Sequence, residues 1–378
     1  GRASARGAGG KDKGSTPNFD VLVVHIQLYL FHNHPCCFFS ICLTKKNMST
    51  ASLRKFIRCL NREPSRVRVR EILASPTFNA SKRIDFANFV RRELPIHIAH
   101  RARDLDRVPV FSDTRGAQII STWYQKSFSE LVQVEEIQTL SDTDRFGTLL
   151  GSILDRHSST NEMVARGVTE YNKKMGKLQD VNVDPLQLHL QTFFEGRATL
   201  RAMMRRCIEG KRLARPESME KIVHDAVEDA EFVYDEWAWK NHDEPKILTV
   251  QGCDEVGQLS CVRPHVQFVL FEIVKNAMRG AKSKVDVSVG VDSNAAVVVR
   301  VSDDGEGLCL ETRARAMAYG YSTAPPPHRL ATGPPLCGLG FGLPASRTLV
   351  RFSGGDLRLE SVPGCGTDVY IHFASIVA

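Results

Sequence analysis

One segment in the last third of the chain places four chemically capable side chains on one face of a predicted helix. Within residues 264–282, Glu272, Lys275, Asn276 and Arg279 stand at i, i+3, i+4 and i+7, so they project in one row. The asparagine oxygen is a hard ligand that suits Mg²⁺, the carboxylate can take a proton, and the cations can meet phosphate oxygens. The row fits a magnesium–polyphosphate site, although taken alone it is more typical of a solvated polar face.

A glycine-containing turn follows a predicted strand at residues 296–301. The turn is D-D-G-E-G, residues 303–307, so an aspartate at the strand end is followed by alternating glycines. The Asp303 carboxylate could accept the exocyclic amine of adenine, and Gly305 and Gly307 carry no Cβ that would keep a flat ring away. Many ordinary turns contain D-x-G-x-G, so this motif is weak evidence by itself.

Two further glycine motifs lie downstream. The segment GLGFGLP, residues 338–344, opens a predicted helix, and its backbone N–H groups could cradle an anion. It is similar to a dinucleotide-binding fingerprint, but no parallel strand leads into it, so a dehydrogenase lacks its structural context. The segment GCGTD, residues 364–368, is a tight turn from which Thr367 enters the last predicted strand, and it also fits an ordinary hairpin.

These motifs sit on elements whose type follows from the spacing of apolar residues. After Pro245 the apolar period becomes two, and β-rich runs alternate with helical runs, which predicts an α/β sandwich with a mixed sheet over residues 244–378. The predicted strands are 246–250, 284–291, 296–301, 356–361 and 367–373. The predicted helices are 264–282, 310–318 and 341–352.

The preceding part of the chain has a helical period. Apolar residues recur at spacings of three and four from about residue 80 to 241, in stripes that predict four long amphipathic helices. The stripes run through residues 119–132, 146–163, 186–208 and 222–233. Helices joined by short polar segments predict an up-and-down four-helix bundle over residues 76–243, and hence an α+β fold overall.

Composition excludes several classes of protein. The 378 residues suffice for two domains, and 42% hydrophobic with 25% charged residues is typical of a globular protein. Much of the net charge of +7 comes from seven basic residues between Met48 and Arg70. This clustering indicates a targeting segment rather than a nucleic-acid-binding face. The ten cysteines show no zinc-site spacing and are expected to be free thiols.

The N-terminal segments predict a start at Met48. Residues 1–47 are interpreted as upstream sequence foreign to the natural protein, and residues 48–75, which are rich in arginine, as a mitochondrial transit peptide or disordered segment. The apolar run 19–43 is long enough for a signal anchor, which is the alternative, but polar residues and a proline interrupt it. We therefore expect no membrane span.

The motifs together resemble a known family. The asparagine helix, D-x-G-x-G, the glycine-rich loop and G-x-G-T occur in the order found in the Bergerat (GHKL) ATP-binding domain of gyrases, chaperones and histidine kinases. The segments FEIVKNAMRG (271–280), YSTAPP (321–326) and RHSSTNEMVARGVTEY (156–171) resemble the mitochondrial 2-oxoacid dehydrogenase kinases, and the resemblance covers about residues 80–373. It implies a four-helix regulatory domain, an ATP- and Mg²⁺-dependent kinase domain and a homodimer.

The resemblance also implies a substrate and residue roles. The substrate would be a serine on the decarboxylase α subunit of a matrix 2-oxoacid dehydrogenase complex, which phosphorylation inactivates, with a lipoyl domain as docking site. The expected complex is pyruvate dehydrogenase, and the branched-chain complex is the alternative. The catalytic residues would be Glu272, His157 and Lys275: Glu272 would be the general base, His157 would pair with it, and Lys275 would lie near the triphosphate. Asn276 would hold Mg²⁺. The ATP-binding residues would be Asn276, Arg279, Asp303, Gly305, Gly307, Ser322, Thr323, Gly338, Leu339, Gly340, Phe341, Gly342, Leu343 and Thr367.

Several alternatives stay open from the sequence. Glu306 stands where the family usually has a glycine, which keeps an ATP-binding scaffold without transfer activity in view. A histidine kinase with His157 as phosphoacceptor is disfavoured because Ser158, rather than an acid, follows it. The segment IAHR (98–101) favours a branched-chain target, whereas YSTAPP favours the pyruvate complex. His157 could also be an ordinary core histidine.

Overall fold

Two separate apolar cores organise the computed structural model, one in a helical region and one under a β-sheet. The structure describes residues 21–26, 39–44, 48–65, 68–176, 184–241, 243–293, 296–324 and 339–376. The first described elements form an antiparallel pair, β1 (Val21–Ile26) and β2 (Phe39–Thr44), so the described parts of the apolar run 19–43 are paired strands. Within the described ranges, no helix has both the length and the apolar character that crossing a bilayer requires.

The first core lies among seven helices. These are α1 (Thr50–Leu60), α2 (Val69–Ala74), α3 (Ala80–Asp106), α4 (Arg115–Leu131), α5 (Leu140–Arg156), α6 (Thr160–Met175) and α7 (Pro185–Glu209). Helix α3 packs on α4 and α7, α7 packs on α5, and α4 packs on α6. Local sequence sets the ends: Thr139 and Asp142 form a capping box at the start of α5, and Pro185 and Gly210 bracket α7.

The second region contains a five-stranded sheet covered by helices. Its elements are β3 (Arg215–Ser218), α8 (Met219–Asn241), β4 (Ile247–Gln251), β5 (Gln258–Cys261), α9 (Arg263–Gly280), β6 (Lys284–Val291), β7 (Val297–Asp303), α10 (Leu310–Arg315), α11 (Gly342–Phe352), β8 (Asp356–Val362) and β9 (Gly366–Phe373). The sheet order is β4-β6-β7-β9-β8, with β4 parallel to β6 and the other neighbours antiparallel. The predicted mixed sheet, with helices between its strands, is confirmed.

The alternation of valines explains why the sheet is covered on one face. In β6 and β7, every second residue is buried, and those residues belong to the second core together with the apolar stripe of α9. Helices α9 and α11 pack on the strands, and α8 packs on α9. This arrangement places the polar row of α9 at the end of β7, where the D-D-G-E-G turn begins.

Helix α8 corrects one sequence prediction. Its stripe through residues 222–233 was assigned to the bundle, but Ile222, Val223, Ala226 and Ala230 are buried in the second core. A helical period shows which face of a helix is buried but does not show what it packs against, so the pattern could not give the partner. The change of core falls between α7 and β3 rather than at residue 243.

The segment 48–75 also differs from its prediction as a disordered leader. It forms α1 and α2, and Phe56, Leu60, Ile72 and Leu73 are buried in the first core. Apolar residues at helical spacing between arginines suit both a transit peptide and a surface helix that docks by its apolar face, so composition alone could not separate the two. Its use as a targeting signal stays a prediction.

Candidate active site

A cavity of about 570 Å³ lies where α9, the end of β7 and the start of α11 meet. This volume falls in the range of small-molecule sites, about 300–1,000 Å³. Most residues predicted for nucleotide binding and catalysis line it, although they are spread over nearly a hundred positions. They are Glu272, Lys275, Asn276, Arg279, Asp303, Gly307, Ser322, Thr323, Leu339, Gly340, Phe341, Gly342, Leu343 and Thr367.

Glu272 and Lys275 form a close ion pair in the wall of this cavity. Lys275 Nζ lies 2.6 Å from Glu272 Oε1 and 4.7 Å from the centre of the Phe271 ring. Both side chains are largely buried, so the ion pair holds the carboxylate in one orientation. Lys275 therefore contacts the predicted base itself.

Asn276 and Arg279 occupy the next turn of α9. The Asn276 side chain lines the cavity and, among the described residues, has no hydrogen-bond partner, so its carboxamide oxygen is available to a ligand. A hard oxygen donor in this position fits Mg²⁺. Arg279 Nη2 donates to Thr323 Oγ1 at 3.2 Å, which ties α9 to the segment with the predicted nucleotide contacts Ser322 and Thr323.

Strand register brings Asp303 and Thr367 together. They are direct partners across β7 and β9, and Thr367 Oγ1 lies 2.9 Å from the hydroxyl of Ser361 on β8. Burial raises the pKa of the Asp303 carboxyl, and backbone N–H groups of Gly305 and Thr367 partly offset this by stabilising the charged form. Asp303 is thus a half-buried acceptor at the sheet end.

Glycine allows close approaches within the protein at two positions. A Cβ on Gly305 would stand 2.2 Å from the carbonyl oxygen of Gly280, so the turn after β7 packs directly on the end of α9. Gly305 is not among the residues that line the cavity, and its predicted contact with a bound ring stays a prediction. A Cβ on Gly342 would stand 2.1 Å from Glu272 Oε2, so the glycine lets the start of α11 approach the predicted base.

Part of the cavity wall comes from residues outside the sequence motifs. Val301, Leu359 and Val369 form apolar lining from three strands, and the β7 alternation could have indicated Val301. Phe268 lines the cavity one turn before Glu272 on α9. Asn161 also lines the cavity, but it belongs to the helical region, and no local sequence pattern indicates this contact. Glu306 lines the cavity and pairs with Lys282 at 2.7 Å, so its extra charge is partly neutralised.

His157 does not lie in this cavity. It is buried in the first core, where Nε2 lies 2.9 Å from Ser127 Oγ and the ring packs edge-on against Tyr124. Burial, followed by the charges of Arg197 and Arg156, lowers the pKa of His157 to about 3. The expected pairing with Glu272 is therefore replaced by a hydrogen bond to Ser127, and a histidine 2% exposed is no accessible phosphoacceptor.

Gly338, and the Pro-rich segment before it, lie outside the described residues.

Comparison with known proteins covers both halves of the chain. A family model described as mitochondrial branched-chain alpha-ketoacid dehydrogenase kinase matches residues 66–214. A second model, described as histidine kinase-, DNA gyrase B-, and HSP90-like ATPase, matches residues 261–375.

Relatives that match most of the chain decide the family. A mitochondrial [pyruvate dehydrogenase (acetyl-transferring)] kinase of Ascaris suum is 30% identical over 321 residues, which are 76% of this chain and 78% of that protein. The mitochondrial isozyme 4 of Homo sapiens is 30% identical over 342 residues, 83% of this chain and 82% of that protein. This chain belongs to the mitochondrial 2-oxoacid dehydrogenase kinase family. An Arabidopsis thaliana relative of the same printed name is 28% identical over 77% of this chain and 84% of that protein.

Membership of this kinase family agrees with the boundary between the two cores. The match to the branched-chain kinase model ends at residue 214, the last residue of the first core before β3 begins. The same match starts at residue 66 and so includes α2. The ATPase model begins at residue 261, just before α9, and contains the predicted nucleotide-binding residues.

Proposed function

We propose that the protein is an ATP-dependent serine kinase that phosphorylates the decarboxylase α subunit of the mitochondrial pyruvate dehydrogenase complex in the matrix. The observation that carries the proposal is the single cavity in which Glu272, Asn276 and Asp303 lie together. Relatives about 30% identical over most of their length, whose printed names are pyruvate dehydrogenase kinases and mitochondrial, support this target and location.

The cavity suits a nucleotide bound with its base towards the sheet. The Asp303 carboxylate would accept the exocyclic amine of adenine, and Val301, Leu359 and Val369 would contact the ring. The backbone N–H groups at the start of α11, from Gly340 onward, would hold the phosphates, because a helix N-terminus favours anions.

The transfer step needs few side chains. Glu272 accepts the proton of the serine hydroxyl while the serine oxygen bonds to the γ-phosphorus. The bond from that phosphorus to the bridging oxygen breaks, and ADP leaves with the electron pair. Asn276 would hold Mg²⁺, which supplies charge neutralisation to the phosphate oxygens when bound. Lys275 orients the Glu272 carboxylate through their ion pair.

The test is transfer of labelled phosphate from ATP in the presence of Mg²⁺. Parallel reactions contain purified pyruvate decarboxylase component, purified branched-chain component, or neither, and the modified residue is mapped by mass spectrometry. We expect phosphoserine on the α subunit of the pyruvate component. Tight ATP binding without label on either subunit would instead indicate a nucleotide-binding scaffold.

A branched-chain 2-oxoacid dehydrogenase complex is the second candidate target. It is favoured by the family model over residues 66–214, whose description names the branched-chain kinase. The same assay separates the candidates, since label on the branched-chain α subunit alone would move the proposal to that complex.

We also propose that the helical region is a four-helix regulatory bundle, that the protein is a homodimer, and that it docks on a lipoyl domain. Family membership supports these assignments. Sedimentation of the protein alone tests the homodimer, and a monomer would contradict it. Sedimentation with a purified lipoyl domain tests the docking, and an unchanged sedimentation coefficient would contradict that interaction.

A further inference from the structure

The Lys275 side chain lies over one turn of α9, between Phe271 and Glu272. Lys275 follows Glu272 by three positions and Phe271 by four, the two spacings that bring side chains together on a helix. Helix side chains also lean towards the helix N-terminus, which directs the lysine onto this pair. Its Nζ lies 2.6 Å from Glu272 Oε1 and 4.7 Å from the centre of the Phe271 ring. The ammonium therefore has two neighbours of negative potential, a carboxylate and a ring face.

The Lys275 ammonium depends on these neighbours because it is largely removed from water. Its side chain is 8% exposed, and among the described residues Glu272 is its one hydrogen-bond acceptor. That carboxylate takes one of the three N–H groups. The ring face lies within the range of cation–π attraction, about 6 Å, and this attraction is stronger for a desolvated cation than for an exposed one.

The two oxygens of the Glu272 carboxylate have different surroundings. Oε1 accepts from Lys275, whereas Oε2 faces the start of α11, where a Cβ on Gly342 would meet it at 2.1 Å. Because the ammonium occupies Oε1, Oε2 is the oxygen left to take the proton of an acceptor serine. The position of the ammonium thus decides which oxygen acts as the base.

The ring of Phe271 fixes that position. We propose that Phe271 is a positioning residue for phosphoryl transfer, and that its ring face keeps the Lys275 ammonium on Oε1 of Glu272. Without the ring the ammonium, on its flexible four-carbon stem, could move to Oε2 and block the base. This inference rests on the proposed kinase function, and it concerns the rate of transfer rather than the binding of either substrate.

Two other roles for Phe271 predict different results. The ring lines the nucleotide cavity, so it could contact the nucleotide, and it packs against the second core, so it could simply fill space. Loss of a nucleotide contact would lower ATP affinity. Filling space does not depend on the charge distribution of the ring, whereas cation–π attraction needs the negative ring face, which fluorine atoms weaken with little change in volume.

The experiment replaces Phe271 in the full chain by phenylalanines that carry one, two or three fluorine atoms. For each protein, ATP affinity is measured, together with kcat and KM for the pyruvate and branched-chain decarboxylase components. The matched control is the trifluoro replacement at Phe373, which is buried in the second core and makes no cation or ring contact among the described residues. Phe271→Tyr keeps an aromatic face, and Phe271→Leu removes it.

We expect kcat to fall with each added fluorine, by about fivefold with three, while ATP affinity and the KM for the decarboxylase stay unchanged. Phe271→Leu should lose about tenfold in kcat, and Phe271→Tyr should stay within about twofold of wild type. A double-variant cycle tests whether the ring acts through the lysine. In the Lys275→Met protein, Phe271→Leu should cost no further rate.

Equal kcat across the fluorine series, while wild type phosphorylates a decarboxylase, would overturn the inference and leave the kinase function intact. A fall in ATP affinity in place of kcat would assign the ring to the nucleotide. A further tenfold loss from Phe271→Leu in the Lys275→Met protein would show that the ring does not act through the lysine. No transfer by wild type would remove the proposed function and this inference with it.

Discussion

At the scale of single residues, the contact between Gly342 and Glu272 couples the start of α11 to the predicted base. Because an added Cβ would meet Glu272 Oε2 at 2.1 Å, Gly342→Ala should displace the carboxylate while leaving the helix intact. We expect kcat to fall at least about tenfold, since misplaced catalytic groups lose rate steeply.

The matched control for Gly342→Ala is Gly151→Ala. Gly151 lies inside α5, and a Cβ there would meet nothing within 4 Å. This change should leave kcat unaltered and stabilise the protein by up to about 1 kcal/mol, because alanine favours helix over glycine. Equal rates in wild type and Gly342→Ala would show that the carboxylate position does not matter.

His157 predicts how stability depends on pH. Its pKa is lowered to about 3 in the folded protein, against about 6.5 in an unfolded chain, so the unfolded state binds a proton first as pH falls. The stability that the folded state gains by keeping His157 neutral is fully present above pH 6.5 and is lost progressively as the pH falls towards 3. Between pH 6.5 and 5 the free energy of unfolding should fall by about 2 kcal/mol through this group.

Urea unfolding of wild type and His157→Gln between pH 5 and 7.5 isolates that contribution. The variant should be less stable at pH 7, and its stability should fall less steeply below pH 6.5. Parallel profiles for the two proteins would mean that His157 takes up its proton in the folded state as well.

The sequence revealed the site residues that belong to contiguous motifs. Glu272 and Asn276 are fixed by helical periodicity, and the positions of Asp303 and Thr367 follow from their motifs, although their pairing depends on strand register. Asn161 could not be predicted, because it reaches the cavity only through the packing of the helical region on the sheet region. Phe268 was missed although it precedes Glu272 by one turn on α9. The partner of His157, Ser127 of α4, was missed because a sequence pattern does not show which helices pack together.

At the scale of elements, α1 is a folded part of the first core. Phe56 is 1% exposed and packs edge-on against Phe128 of α4 at 4.9 Å between ring centres. Phe56→Ala should therefore lower the free energy of unfolding by about 3–5 kcal/mol. Urea denaturation measures this, with the exposed Arg54→Ala as control, for which a change within about 0.5 kcal/mol is expected.

A small effect of Phe56→Ala would restore the interpretation of residues 48–75 as a leader that contributes nothing to the fold. Such ambiguity is general for amphipathic N-terminal helices.

The strands of the sheet were predictable because their period of two is unambiguous, whereas β3 and β5 are only four residues each and were missed.

At the scale of the whole molecule, aromatic packing joins the helical region to the nucleotide cavity. Phe194 of α7 stacks on Tyr319 with ring centres 4.8 Å apart and meets Phe341 at 6.0 Å. Gln187 holds the backbone of Tyr319 by two hydrogen bonds, of 2.8 and 3.1 Å. Phe341 lines the nucleotide cavity, yet it is buried in the core of the helices.

This packing predicts that the helical region affects nucleotide binding. Phe194→Leu should weaken ATP affinity several-fold by loosening Phe341, although Phe194 does not line the nucleotide cavity. Isothermal titration with ATP checks this, and Phe86→Leu, in an aromatic contact with Phe78 away from the cavity, is the control. Equal affinities in both variants would show that the two regions are not coupled through these rings.

The central claim is that the cavity beside Glu272 transfers a phosphoryl group, and Glu272→Gln tests it most directly. ATP affinity and the rate of serine phosphorylation are measured together in this variant and in Glu162→Gln, an exposed control on α6. We expect Glu272→Gln to bind ATP within about twofold of wild type and to lose at least about a hundredfold in rate, with the control unchanged. Full transfer by Glu272→Gln would contradict the assignment of the base and of the reaction to this cavity.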